Sequence, residues 1–215
     1  MTGSQPDVDR AVKALGWVQP TPIQAQVIPL LRSGADVIAQ AQTGTGKTGA
    51  FAIPLLERIV TSARRPSVLA IVPTRELCLQ VAGDFASLGR FRSVRVAALY
   101  GGNGYGAQER ELRRGAHVVV GTPGRLLDLL SRRSLDLGAI EVLVLDEADR
   151  LLDLGFINDI RRIVAVLPKR HQTALFSATV TPEVDAVARG LTVDAVKVSV
   201  RPEQPTIDTI DQAFI

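Results

Sequence analysis

The run AQTGTGKT at residues 41–48 sets Gly44, Thr45 and Gly46 between an apolar segment (36–40) and a helical pattern that opens on Lys47 and Thr48. Binding a phosphate requires backbone N–H groups to converge on it, and glycines permit a turn tight enough for that. The start of the following helix adds partial positive charge. In this pattern Thr43 to Thr48 wrap the phosphates, Lys47 reaches the β- and γ-phosphates, and the Thr48 hydroxyl ligates Mg²⁺. The usual spacing, G-x-x-x-x-G-K-[ST], is missed by one residue, because Ala41 occupies the first place. A glycine turn with an incidental lysine is the bland alternative, and the strand–loop–helix context weighs against it.

A phosphate loop needs an acidic element for the metal. The stretch VLVLDEADR (142–150) ends four apolar residues in Asp146 and Glu147. At a strand's carboxyl end Asp146 is placed to hold Mg²⁺, directly or through water, and Glu147 to orient and deprotonate an attacking water. Two adjacent acids could equally cap a helix. Three further stretches follow strand candidates: PTRE (Pro73, Thr74, Arg75), YGGNGYG (Gly101, Gly102) and TPGR (Thr122, Pro123, Gly124, Arg125). They offer amides, hydroxyls and guanidiniums, which bind phosphates and sugars without reading sequence. Taken singly, each also fits a helix cap with a salt bridge, such as Arg75 to an acid near Glu76. Ser177 and Thr179, in SAT, fit hydroxyl caps at a strand end. The pairs Arg113–Arg114, Arg132–Arg133 and Arg161–Arg162 read as solvated helix faces. Cys78 reads as a small helix residue, and His117 and His171 receive no role.

These residues need elements to position them. Apolar strand candidates lie at 36–40, 67–73, 93–100, 116–122, 141–147, 173–179 and 195–200, with helical stretches at 47–60, 74–89, 105–115, 123–133, 156–168 and 182–191. Runs apolar on consecutive residues, such as VLVL, suit strands of a parallel sheet buried on both faces. The alternation predicts a doubly wound α/β domain, in which ligands bind at the strands' carboxyl ends. The 215 residues, 46% hydrophobic and 22% charged, suffice for one large domain with a core, and that one sheet uses the apolar residues. A net charge of +3 says little about partners, and a single cysteine excludes an internal disulfide. No apolar run reaches the roughly 18 residues needed to span a membrane. The start lacks a basic region followed by an apolar one. A cytoplasmic monomer is the expectation.

DEAD at 146–149 resembles the signature of the DEAD-box RNA helicases, within helicase superfamily 2, and AQTGTGKT resembles that family's own phosphate loop. GWVQPTPIQ (16–24) looks like its Q motif, PTRELCLQ, GG and TPGR like its RNA-backbone motifs, and SAT like the motif coupling nucleotide state to RNA. The resemblance spans nearly the whole chain. It implies a RecA-like, mainly parallel sheet flanked by helices over 1–215, with ATP or ADP and Mg²⁺ as ligands and RNA as substrate. It also implies that Gln24 reads the adenine edge and that Asp149 partners Ser177 and Thr179. Two departures stand out. The aromatic that the family places upstream to stack on adenine has no match in MTGSQPDVDRAVKAL, so one stacking face is expected to be missing. The chain also stops where a second RecA-like domain would begin: 201–215 reads as a last strand and run-in to it, and no arginine-rich finger motif is present. ARGLTVD near 188–194 resembles a second-domain motif but lies too close to SAT. A small-molecule kinase would want an arginine-bearing lid. A non-catalytic nucleic-acid module would be marked by loss of Lys47 or Glu147, and both are present.

Overall fold

The computed structural model describes residues 6–200; the strand and run-in expected at 201–215 lie outside the described residues. Seven strands form one sheet: β1 (Val37–Gln40), β2 (Val68–Ile71), β3 (Val96–Leu99), β4 (Val118–Gly121), β5 (Val142–Leu145), β6 (Gln172–Ser177) and β7 (Val196–Ser199). All pairings are parallel and the order is β3-β4-β2-β5-β6-β1-β7. Each of the seven apolar segments coincides with one of them, β6 starting one residue earlier, at Gln172.

Successive strand residues point to opposite faces, and here both faces are covered. Ala39, Ala70, Val120, Val144 and Phe176 belong to one buried cluster, Ile38, Leu69, Val119, Leu143 and Leu175 to another. The first face carries α2 (Pro22–Arg32), α3 (Lys47–Arg58) and α4 (Arg75–Leu88). Phe51 of α3 packs on Phe85 of α4 and Phe176 of β6, with ring centroids 5.8 and 5.1 Å away. The second face carries α6 (Pro123–Ser131), α7 (Ala148–Asp153), α8 (Ile157–Val164) and α9 (Pro182–Leu191). α1 (Pro6–Ala14) and α5 (Tyr105–Arg113) complete the elements among the described residues.

The six helices expected from pattern are present, and α1, α2 and α7 are added. α1 buries only Val8 and Ala11, too short a stripe to stand out. α2 begins at Thr21-Pro22, with the Thr21 N–H donating to Gln24 Oε1 at 3.1 Å. Strand order then sorts the chemistry. The loops after β5, β6 and β1 sit side by side, and those after β3, β4 and β2 form the other half of the same edge.

Candidate active site

Gly44 and Gly46 take φ of 82° and 88°, left-handed values open to glycine, and turn the loop into α3. Lys47 is thereby buried, with Nζ 3.9 Å from Asp146 Oδ1. That Nζ and Thr21 Oγ1, beside Gly46, are buried with no hydrogen-bond partner. A buried ammonium without acceptors is costly, and phosphate oxygens would supply them. Thr45 Oγ1 donates to the Gln42 carbonyl at 2.7 Å. The Thr48 hydroxyl meets Asp84 of α4, whose carboxyl is raised by burial despite that bond.

Asp146 continues β5, its N–H donating to the Ile71 carbonyl at 3.1 Å, and its Oδ1 accepts the Glu147 N–H at 2.9 Å. Burial pushes the Asp146 carboxyl up to about 6, against the pull of Lys47 and of the Glu147 N–H. Glu147 adopts φ 52°, ψ 52°, a left-handed conformation costing a non-glycine residue about 1–2 kcal/mol. The turn starts α7 there, with Glu147 Oε2 3.3 Å from Arg150. Among the described residues no three His, Cys, Asp or Glu side chains cluster as a metal cage. One or two carboxylates plus phosphate oxygens and water is the set Mg²⁺ prefers, so Asp146 and Thr48 beside a phosphate loop fit that ion.

Gln24 is buried, and both ends of its amide are engaged: Oε1 accepts from Thr21 and Nε2 donates to the Gly46 carbonyl at 3.1 Å. Gln24 thus ties directly to the phosphate loop, with one N–H and one lone pair left over. A Cβ on Gly49 would lie 2.6 Å from Gln24 Nε2 and 2.7 Å from the Trp17 ring. Glycine there lets both side chains lie on α3. Trp17 and Gln24 line one cavity with Val18, Gln19, Ile28 and Arg32. Trp17, which follows the stretch MTGSQPDVDRAVKAL, stands beside Gln24 in the segment between α1 and α2.

Asp149 and SAT meet across β5 and β6. Asp149 Oδ2 accepts from the Thr179 N–H and hydroxyl, each at 2.9 Å. Ser177 Oγ accepts the Asp149 N–H at 3.1 Å and donates to the Thr179 carbonyl at 2.6 Å. Burial alone would raise Asp149, but these bonds, chiefly from Thr179, hold it below the usual carboxylate range.

On the other half of the edge, Pro73, Arg75, Gly101, Thr122, Gly124 and Phe156 line a cleft. Thr74 caps α4, its Oγ1 accepting the Leu77 N–H at 3.2 Å. Arg75 lies 5.0 Å from the Tyr100 ring centroid rather than on an acid. Thr122 and Pro123 start α6 with no side-chain cap bond, which leaves the Thr122 hydroxyl free of that duty. Gly102 turns at φ 83°. Arg125 differs from its neighbours: it is buried and donates to Gln108 Oε1 at 3.0 Å and to the Asn103 carbonyl at 2.8 Å. Arg132 is exposed, as expected of a solvated face, with its guanidinium 3.7 Å from the Tyr105 ring centroid. The other unassigned residues behave structurally. His117 Nδ1 accepts the Arg95 N–H, and the Cys78 thiol is pushed up to about 12 by burial.

Residues 21–187 match the family described as DEAD/DEAH box helicase. The chain belongs to that family. It is 44% identical over 97% of its length to the DEAD-box ATP-dependent RNA helicase CshA of Bacillus licheniformis, covering 43% of that protein. It is 46% identical over 98% of its length to the ATP-dependent RNA helicase DeaD of Mycobacterium tuberculosis, covering 38% of it. A crystal structure of a DEAD box protein from Methanococcus jannaschii matches 93% of the chain and 55% of its own, at TM-score 0.89 and 36% identity. This DEAD-box domain therefore spans about two fifths of the length of those two curated relatives. Its RecA-like sheet is the one it shares with that crystal structure. No helix among the described residues is long and apolar enough to cross a membrane.

Proposed function

We propose that this DEAD-box domain is the ATP-binding half of an RNA helicase in which ATP binding and hydrolysis drive RNA clamping and local duplex opening. The observation that carries the reading is the partnerless, buried Lys47 Nζ beside Asp146 in a glycine loop.

In this reading the loop amides and Lys47 take the phosphates, Gln24 meets the adenine edge, and Trp17 offers its ring to the base. Mg²⁺, when bound, would be held by Thr48 and Asp146 and would neutralise charge on the phosphates. Glu147 orients the attacking water and accepts its proton. The left-handed turn at Glu147 fixes where that carboxylate leaves β5. Pro73, Thr74, Arg75, Gly101, Gly102, Thr122, Pro123, Gly124 and Arg125 form the RNA-backbone edge. Asp149, Ser177 and Thr179 link the two halves. A second RecA-like domain of the same protein supplies the remaining RNA face and an arginine finger, a contribution of about 10³–10⁵ in rate in related phosphoryl-transfer enzymes. The residues 1–215 alone would then bind nucleotide as a cytoplasmic monomer, turn it over slowly and not unwind.

The test is Glu147→Gln in the complete protein. The amide keeps the shape but cannot take a proton. Nucleotide and RNA affinity should stay within a few-fold of wild type while RNA-stimulated ATP hydrolysis falls by at least about 100-fold. Hydrolysis near the wild-type rate would remove Glu147 as the base.

A further inference from the structure

One residue that lines this cleft is itself buried and spends its donors on the protein. Arg125 is 8% exposed, and its guanidinium bridges two elements. One nitrogen donates to Gln108 Oε1 of α5 at 3.0 Å, another to the Asn103 carbonyl at 2.8 Å. The loop that it holds contains Gly101 and Gly102. The loop's other end is tied as well, because Gln108 Nε2 donates to the Tyr100 carbonyl at 3.0 Å. Arg125 in turn is held in place. Its guanidinium lies 4.5 Å from the Tyr105 ring centroid, and Arg132 stacks on the same ring at 3.7 Å. Tyr105 Oη donates to Asp128 Oδ2 at 2.5 Å. Asp128 sits one helical turn beyond Gly124 on α6 and lines the cleft. A carboxylate on the wall of a polyanion cleft opposes binding by its charge. Its place is explained by the Tyr105 hydroxyl that it accepts and by Arg132, 3.6 Å away, and these, with the charge of Arg125 beyond, keep it below the ordinary carboxylate range, Tyr105 foremost.

We propose that Arg125 is a positioning residue: with Tyr105, Gln108 and Asp128 it fixes the 101–104 loop on α6, presenting the Gly101 and Gly102 backbone to RNA, and takes no phosphate itself. The inference rests on the reading of this cleft as an RNA-backbone site. Glycine at 101, 102 and 104 leaves this loop little of its own to pack, since its one side chain, Asn103, makes a single exposed bond, Nδ2 donating to Tyr100 Oη at 3.2 Å, so the bracket is what holds its shape. Phosphate contact and loop positioning differ in one measurable respect. Each phosphate neutralised by a cation contributes about −0.7 to the slope of log K against log salt for single strands. A positioning residue contributes affinity without slope.

The experiment measures binding of a single-stranded oligo(U) RNA to the complete protein across a salt series, for wild type, Arg125→Met and Tyr105→Phe. ADP affinity is measured in parallel, with amide hydrogen exchange at 101–104 in the absence of RNA. The expected result is RNA affinity about 10-fold weaker in Arg125→Met and several-fold weaker in Tyr105→Phe, with salt slopes equal to wild type and ADP affinity unchanged. Exchange at 101–104 should be faster in both. A slope shallower by about 0.7 in Arg125→Met would make Arg125 a phosphate ligand and overturn the inference while leaving the RNA site intact. Wild-type affinity and wild-type exchange in Tyr105→Phe, a conservative change expected to fold, would also overturn it. Failure of the wild-type protein to bind RNA at any salt would instead remove the RNA-site reading on which it depends.

Discussion

Lys47 Nζ and Asp146 Oδ1 face each other at 3.9 Å with both side chains buried, although they follow strands β1 and β5, between which β6 intervenes. An ammonium and a carboxylate at that distance form a loose pair, and the Lys47 ammonium has no hydrogen-bond acceptor within reach. The pair is better suited to receive a ligand between its members than to stabilise the fold.

Asp146 makes this measurable. Its folded carboxyl stands at about 6, raised from 3.8 chiefly by burial. The folded state therefore holds this proton more tightly than the unfolded chain. Stability from this group is greatest below the unfolded value and is lost as pH rises through about 6. At about 1.4 kcal/mol per pH unit, the loss is on the order of 3 kcal/mol. Asp146→Asn mimics the neutral form. In metal-free buffer its stability relative to wild type should be near zero at low pH and grow by about 1–3 kcal/mol towards pH 8. Denaturant unfolding at a series of pH values measures it, and a difference that is flat or shrinks with pH would contradict the account.

Trp17 is the only tryptophan in the chain and lines the Gln24 cavity. Adenine nucleotides should therefore change its fluorescence, and the change should saturate with the binding isotherm. Trp17→Ala should weaken ADP by roughly 1 kcal/mol, about fivefold, by analogy with aromatic pairs. An emission spectrum indifferent to saturating ADP would place the base elsewhere.

Thr179 gives two donors to Asp149 Oδ2. Thr179→Ala removes the hydroxyl and keeps the N–H, at a cost of about 1 kcal/mol in stability. The Asp149 carboxyl should move up towards its ordinary range, which NMR titration reads directly. Nucleotide affinity should hold, while duplex opening per ATP hydrolysed should fall several-fold in the complete protein. Undiminished opening per ATP would separate this contact from coupling.

The central strands were legible because residues such as Val142 to Leu145 are buried on both faces, and consecutive apolar residues mark that environment, whereas edge strand β7 buries only Val198 and was marked by alternation. The acid pair and the phosphate loop were legible because chemistry fixes their spacing along the chain. The place of Trp17 was not, since the cavity it lines is assembled from α1, the segment after it and α2, and no spacing along the chain marks that meeting. The inward turn of Arg125 was equally hidden: its acceptors lie 17 and 22 residues away, and no periodicity links them. α2 carried a readable start, with Pro22 at its first turn and Gln24 three residues after Thr21. There one glutamine serves both the helix start and the phosphate loop.

The central claim is a nucleotide site built on Lys47, and calorimetric titration of ADP with Mg²⁺ into wild type and Lys47→Ala tests it most directly. Lys47 Nζ has no hydrogen-bond acceptor but opposes the Asp146 charge at 3.9 Å, so its removal should raise the Asp146 carboxyl further, and thermal unfolding measured beside the titration establishes that the variant is folded. The account predicts a saturable isotherm for wild type and no measurable binding for a normally folded Lys47→Ala. A variant that melts as wild type does and binds ADP as tightly would contradict it.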